Sequence, residues 1–487
     1  MTTTKESPSV SVLAIETNGI NTIPESERKG KPRDMFWPWA AANFSVFGIA
    51  FGSYLLGFGV SFWQAAIIGT IGIVISFFFV GVIALAGKRG SAPTLVLSRS
   101  IFGVNGGRFP SVLSWMLTVG WETVLLSLAT LATATVFTAL GWDGGVVTKV
   151  VALLVVAGLV TAAGVIGFDL IIKIQTVITI ATGVLTIAYI IVVAPQIDFA
   201  VVGALPDGAL PAVIGGFVFI MTGFGLGWVN AAADYSRYLP RNASGTGVVF
   251  WTTFGAAIAP VVLLIFGLLL AGSSPELRDA LGVDPIGSLA TILPIWFLIP
   301  FALAAVLGLV GGAVLNIYSS GLSLLAAGVK VPRYFAAGID GVLTILGAIF
   351  VVFIAQDFIG PFQGFLITLG VPIAAWAGIF LADTIVRKKG YAEKELYDAN
   401  GRYGSVSWLP ISLIVIGTAI GWGFVQVYYS DAFSFGGYLL GAVGGADGPW
   451  AFANLGVLFS LLIGFVGYFA FGRTSVAKQE STPLGND

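Results

Sequence analysis

The sequence predicts an all-α membrane protein that crosses the bilayer twelve times, and three features carry that prediction. Only 10% of the 487 residues are charged while 57% are hydrophobic, whereas a soluble domain has about a quarter of its residues charged. Apolar runs of roughly 20 residues recur along the chain, each long enough to cross the hydrocarbon core as a helix. They are continuous rather than alternating, which sets aside a membrane β-barrel. Finally, Lys and Arg concentrate in alternate loops, as a multi-pass topology requires.

Residues 1–35 read as a cytoplasmic N-terminal tail ending in ERKGKPRD, expected to be disordered until its basic cluster nears the membrane. It lacks the pattern of a signal peptide, so the first span is expected to target the chain. That span covers 36–62 and carries a glycine-spaced interruption at Gly48 to Gly52. The second covers 64–86, and the basic connection GKRGSAPTLVLSRSIFGVNGGRFP leads to the third, 112–140. The fourth and fifth cover 146–165 and 170–194. In the sixth, 211–235, Gly223, Gly225 and Gly227 arrive in alternation, weakening the helix at mid-membrane. Backbone freed there is tolerated only against protein or a watery cavity. The seventh (247–271), eighth (295–327), ninth (335–354) and tenth (362–385) follow. Residues 387–402 form the most charged loop, expected to be solvated and lipid-facing, before the last two spans, 408–428 and 450–471.

Nearly all the basic residues fall on the side of the N-terminus, including Arg28, Lys88, Arg99, Arg237, Lys330 and Arg387, with only Lys149 and Arg278 opposite. The positive-inside rule therefore expects both termini in the cytoplasm, in a plasma (inner) membrane. The interrupted first and sixth spans lie five apart. Residues 36–194 and 211–386 are then expected to form two repeats of opposite topology, as in many secondary transporters. Residues 405–472 hold two peripheral helices, and 473–487 a cytoplasmic tail.

The chain has no Cys and no His. Disulfides, thiolate chemistry and imidazole-ligated metals are excluded. An enzyme would need a cluster of titratable groups in one pocket and a channel a ring of like polar groups; neither is legible. Among intramembrane polar residues, Glu122 stands near the middle of the third span, where a carboxylate is costly and marks proton coupling or a tie between helices. Asn316 in the eighth span presents donors and an acceptor together, suited to the edge of a heterocyclic base or to interhelical bonding. Asn43 and Asn230 are weaker cases. Trp121, Phe224 and Trp228 could stack on a flat ligand, and Gly225 marks the break itself. A small planar substrate and the lipid bilayer are the expected partners, with no nucleic acid and no protein partner indicated.

Four segments carry a family likeness: the 2–3 connection quoted above, GWE in the third span, ADYSRYLP after the sixth, and NIYSSGLSL in the eighth. They resemble the nucleobase:cation symporter family and, more narrowly, its purine–cytosine permease branch, from about Arg33 to the twelfth span. The resemblance implies a LeuT-like fold of ten core helices in two inverted repeats plus two peripheral ones. It also implies alternating access and cation-coupled uptake of a nucleobase. Trp121 matches the tryptophan that stacks on the base in relatives, Asn316 the asparagine that contacts substrate, and Phe224 the sixth-span aromatic. Leu125 stands where relatives carry Asn or Gln, and Gly312 where they carry a polar residue. Sodium-coupled relatives place Ser and Thr hydroxyls near positions occupied here by Val310 and Gly311. The expected coupling ion is therefore H+ through Glu122, with no other cofactor. A sodium-coupled hydantoin- or allantoin-type substrate, or a vitamin-like heterocycle, is the alternative.

Overall fold

The computed structural model describes residues 18–166, 168–355, 358–427 and 435–482. Its helices follow the apolar runs. Among the described residues nine helices are long and apolar enough to cross a membrane, or eleven when each of two sharply bent pairs counts as one. The helix Trp408–Gly423, the eleventh span of the sequence reading, has 16 residues; at 1.5 Å per residue it reaches about 24 Å, short of the ~30 Å core. The twelfth-span count rests on that helix.

The fourth- and fifth-span helices, Val146–Ile166 and Phe168–Val193, sit on the outside. Val177, Ile180, Val184, Ile187 and Ile191 recur at helical spacing along one exposed stripe of the fifth, the surface a bilayer covers. The tenth, Ile359–Val386, is the most enclosed.

The first span is broken, but not at its glycines. Pro32–Asn43 and Phe47–Leu56 meet at 66°, with Phe44 to Val46 between them. Asn43 Nδ2 donates back to the Trp39 carbonyl at 2.9 Å, and Ser45 Oγ accepts from the Phe47 amide at 3.3 Å. These short polar side chains compete with the helical ladder and end it. Gly52 instead permits a close crossing: a methyl group there would lie 2.3 Å from the Gly267 carbonyl carbon of the seventh-span helix, Gly245–Ser273.

The sixth span breaks where expected. The helix Leu210–Gly223 ends at Phe224, whose φ/ψ of −111/−104° lies outside helical space. Two short 3-10 turns, Gly225–Gly227 and Val229–Ala231, lead into the helix Ala232–Ser236.

The basic residues gather at one end of the bundle, and much of that end is packed rather than solvated. In the segment from residue 18 the Ile23 side chain is buried and its amide donates to the Ser91 carbonyl at 2.8 Å. Arg28 donates to the carbonyls of Leu239 (2.9 Å) and Lys88 (2.7 Å), tying the N-terminal segment to the ends of the sixth span and of the second-span helix, Phe62–Gly90. The disorder expected ahead of the basic cluster therefore fails for residues 18–27; residues 1–17 lie outside the described chain. The 387–402 loop is likewise no free charge run. Arg387 is 2% exposed and holds Asp383 through two 2.8 Å bonds while donating to Gln479 of the terminal helix Arg473–Ser481. Burying an arginine demands this pairing, which charge counting along a sequence does not reveal.

Candidate substrate site at the two helix breaks

The third-span helix Arg108–Ala139 carries Trp121 to the sixth-span break. A methyl group on Gly227 would lie 2.9 Å from Trp121 Nε1, so the indole edge rests on the glycine. Phe362 and Phe365 of the tenth span meet the indole edge-on, at centroid distances of 5.7 and 5.9 Å. Trp121 is half-buried, and its N–H has no hydrogen-bond acceptor.

Asn316 sits in the eighth-span helix Leu298–Ala326, one turn beyond Gly312. Its Nδ2 donates to the Gly312 carbonyl at 3.1 Å, while Oδ1 is buried without a partner. A methyl on Gly312 would stand 3.0 Å from a Leu125 methyl and 3.3 Å from the Ala42 carbonyl, beside the first break. Leu125 lies one turn after Trp121 on the third span. The two positions that depart from the family pattern therefore face each other, and the leucine occupies room that the glycine leaves. Trp121, Leu125, Gly312 and Asn316 thus form one surface between the two breaks. Buried polar atoms are mostly hydrogen-bonded, and a donor and an acceptor without partners on one surface are available to a ligand.

The remaining candidates sit around this surface. Phe224 is buried against Phe51 at 4.5 Å and linked to Trp121 through the ring pairs Phe51–Phe362 and Phe362–Trp121. Trp228 meets Trp39 edge-on at 5.7 Å. Asn43 uses its amide on its own helix. Gly225 faces the second span: its N–H donates to Ser76 Oγ at 3.1 Å, and a methyl there would collide with the Ser76 backbone at 2.1 Å. Its role is close helix approach. Asn230 donates to Ser114 at 2.7 Å, and Ser114 pairs with Ser323 at 3.0 Å, joining the third, sixth and eighth spans.

Glu122, next to Trp121 in sequence, points to a different side of the third span. It is 1% exposed, and its Oε2 accepts from Thr344 Oγ1 at 2.9 Å across to the ninth-span helix Arg333–Phe353. Successive helical residues differ by about 100°, so a stacking face and an acid face sit side by side on one helix. The sequence reading placed every other acid near a span end or in a loop. The structure corrects it for Asp340, which is fully buried within the ninth span; Asp234 and Asp383 do lie near the ends of the sixth and tenth spans, and are buried there.

A residue that sequence reasoning missed lies at the first break. Gln175 of the fifth span is fully buried and donates to the Gly311 carbonyl at 2.7 Å. A methyl on Gly311 would sit 3.1 Å from the Ala41 carbonyl and 3.3 Å from Gln175 Oε1. Only its depth in an apolar run could have flagged it.

Two of the family motifs, the 2–3 connection and ADYSRYLP, act through packing at one end of the bundle. Asp234 Oδ1 accepts from both the amide and hydroxyl of Thr94 at 2.8 Å, docking the 2–3 connection onto the sixth span. Tyr235 donates to the Leu315 carbonyl at 2.9 Å, and Arg237 to Tyr318 Oη at 2.8 Å. Gly103 of SRSIFG has φ +81°, left-handed space that favours glycine, and a methyl there would strike the Ser405 backbone at 2.6 Å. These contacts close the basic end. At the opposite end a cavity of about 620 Å³ opens between Tyr54, Phe58, Pro211, Arg278 and Phe452.

A helical membrane bundle with paired helix breaks, each backing onto the same polar and aromatic surface, is the architecture of a secondary transporter. Residues 22–450 match the family described as permeases for cytosine/purines, uracil, thiamine and allantoin, and the chain belongs to that family. Among its relatives is YxlA of Bacillus subtilis, which carries a purine–cytosine permease designation; the two are 25% identical over 452 residues, 90% of this chain and 93% of YxlA. The purine-cytosine permease FCY2 of Saccharomyces cerevisiae is 23% identical over 495 residues, covering 93% and 87% of the two chains. The fold matches that of Mhp1, a nucleobase-cation-symport-1 family transporter, in a closed conformation with bromovinylhydantoin bound: the TM-score is 0.70 at 15% identity, over 97% of this chain and 100% of Mhp1. Inward-facing Mhp1 gives 0.64 at the same identity and coverage. The LeuT-like fold is thereby shown, and the protein is a transporter rather than an enzyme.

Proposed function

We propose that the protein takes up a nucleobase of the cytosine or purine type, or a related planar heterocycle, by proton symport with alternating access. The observation that carries this reading is the surface between the breaks, where Trp121 offers a ring face and an unpaired N–H while Asn316 offers an unpaired carbonyl oxygen. A flat ring with donors and acceptors on its edge satisfies all three. Leu125 against Gly312 makes the adjoining part of that surface apolar, which favours a substrate with one polar edge fewer than the bases bound by Asn- or Gln-bearing relatives.

Protons are favoured over sodium because Val310 and Gly311 supply no hydroxyls, and because the Gln175 carboxamide already occupies the Gly311 carbonyl. Glu122 is the group assigned to carry the proton. Both termini are placed in the cytoplasm of a plasma-membrane protein, on the positive-inside distribution.

Thermal stabilisation of the purified protein against cytosine, adenine, guanine, uracil, thiamine and allantoin tests the substrate class. At 100 times Kd a ligand adds about 2.7 kcal/mol of apparent stability. Uptake into proteoliposomes, with and without sodium and with an uncoupler, tests the ion. Glu122→Gln should abolish uphill uptake driven by a pH gradient yet leave counterflow exchange. Uptake that needs sodium and ignores the uncoupler would replace the proton reading with the sodium-coupled one.

A further inference from the structure

Two buried carboxylates, not one, lie between the third and ninth spans. Asp340 stands one turn before Thr344, fully buried. Its Oδ1 accepts from Trp115 Nε1 at 2.7 Å, and its Oδ2 from Ser320 Oγ at 2.8 Å. Trp115 is two turns before Glu122 and on the same face of the third span. Ser320 lies within reach of both acids. Glu122 accepts from Thr344 through Oε2, but Oε1 has no partner.

The groups that line the gap beside Glu122 are neutral. The fourth span contributes Ala157, Val160 and Thr161, the eighth Ala313 and Ile317, and the ninth Gly341 and Thr344. Arg333, on Asp340's own helix, is about 10 Å along the axis and donates to the carbonyls of Gly164 and Val165. The described hydrogen bonds bring only neutral donors to the two carboxylates, and two bare anions so held in a dry membrane interior are untenable. The gap beside Glu122 is about 10 Å³, at the lower margin for a single water. It admits a proton but no hydrated cation.

We propose that Glu122 and Asp340 form one site that binds a single proton between the third and ninth spans. Asp340, met by two donors, stays the acceptor; Glu122 holds the proton on the oxygen left bare, and Ser320 lies between them. Loading the proton lets the two helices close on each other through the Thr344, Ser320 and Trp115 contacts. Releasing it leaves two anions in one dry gap, which drives the helices apart or readmits water. This inference rests on the proton-symport reading and adds the second group that the reading lacked.

Infrared difference spectra of the full-length purified protein, recorded across a pH titration in light and heavy water, read the shared proton without any substrate. The wild type should show one exchangeable protonated carboxyl. Glu122→Gln should remove it. Asp340→Asn should keep it but displace its titration midpoint by about one pH unit or more, as strongly interacting sites require. Ser320→Ala, the milder change, should displace the midpoint less while leaving the fold intact. A midpoint unmoved in both variants would overturn the pairing, as would two wild-type bands of which Glu122→Gln removes one and Asp340→Asn the other. A shared proton with sodium-driven, uncoupler-resistant uptake would instead leave the pair standing and refute the symport reading.

Discussion

Replacing Trp121 by alanine is the sharpest probe of the site. Its ring is fixed before any ligand arrives: Phe362 and Phe365 hold it edge-on at 5.7 and 5.9 Å, and its N–H edge rests on Gly227. A preorganised aromatic face surrenders little entropy on binding, so the full stacking contribution should appear in affinity. Stacking of a base on one aromatic side chain is worth about 1–3 kcal/mol, so Trp121→Ala should weaken binding roughly 5- to 150-fold. Trp121→Phe keeps a ring but deletes the orphaned donor. Losing one net hydrogen bond of about 0.5–1.5 kcal/mol predicts a drop of roughly 2- to 12-fold. The assay is calorimetric titration with whichever heterocycle stabilises the wild type, alongside an unliganded melting curve to register lost packing. Equal affinity in wild type and Trp121→Ala, with only the melting temperature lowered, would show Trp121 to be core packing and would move the site elsewhere.

Three further predictions follow from the same geometry. Gln175→Ala removes the bond that ties the fifth span to the Gly311 carbonyl, so it should destabilise the protein by about 0.5–1.5 kcal/mol in a denaturant melt; an unchanged midpoint would mean that the contact is dispensable. Arg387→Ala strands a fully buried Asp383, a loss of about 3–5 kcal/mol, whereas Asp383→Asn with Arg387→Met removes both charges and should recover most of it; failure of the double change to recover would refute the ion-pair account. Arg241, which donates a hydrogen bond to Glu25, holds the Glu25 carboxyl below its usual range, aided by Arg28. An acid with a lowered folded value stabilises above its unfolded pKa, about 4.3, and loses that contribution as pH falls through the folded value. The protection factor of the Lys29 amide, bonded to the Tyr238 carbonyl at 2.8 Å, should therefore fall in acid. Glu25→Gln should show the same reduced protection at neutral pH, and wild-type protection in that variant would dismiss the contact.

The elements legible in the sequence were those written as long-range composition. Apolar runs gave the helices, and alternation of Gly223, Gly225 and Gly227 gave the sixth break. The first break was expected at Gly48 to Gly52, because glycine signals both an interruption and a close helix crossing. The Gly267 backbone beside Gly52 decides between them, and that neighbour lies over 200 residues away in sequence. Asp340 was missed for a related reason. It is the eighth residue of a helix that opens with Arg333, so it reads as an end-of-span acid. Yet Arg333 is itself buried and bonded to fourth-span carbonyls, which puts the start of that helix, and Asp340 with it, inside protein. Glu122 was visible because no charge stands near it in the chain.

Of the four segments that made the family recognisable, GWE and NIYSSGLSL bring Trp121 and Asn316 to the surface between the breaks, while the 2–3 connection and ADYSRYLP close the basic end. Asp234, Thr94, Arg237 and Gly103 close the basic end through bonds among themselves and their neighbours, and such bonds tolerate few substitutes because each leaves a buried polar group unpaired when removed. The surface between the breaks obeys a looser constraint, since a different substrate can satisfy a different wall. Leu125 and Gly312 depart from the pattern there together, in mutual contact, while the closing motifs stand intact. A likeness built on those motifs therefore transfers the fold and the alternating cycle, whereas the identity of the substrate is written in the Leu125–Gly312 wall. Leu125→Asn alone should then be poorly tolerated, because its amide would face the apolar gap left by Gly312. Paired with Gly312→Ser, which returns a hydroxyl to the opposite wall, it should bring polar ligand edges back into the site and widen the range of bases that stabilise the protein.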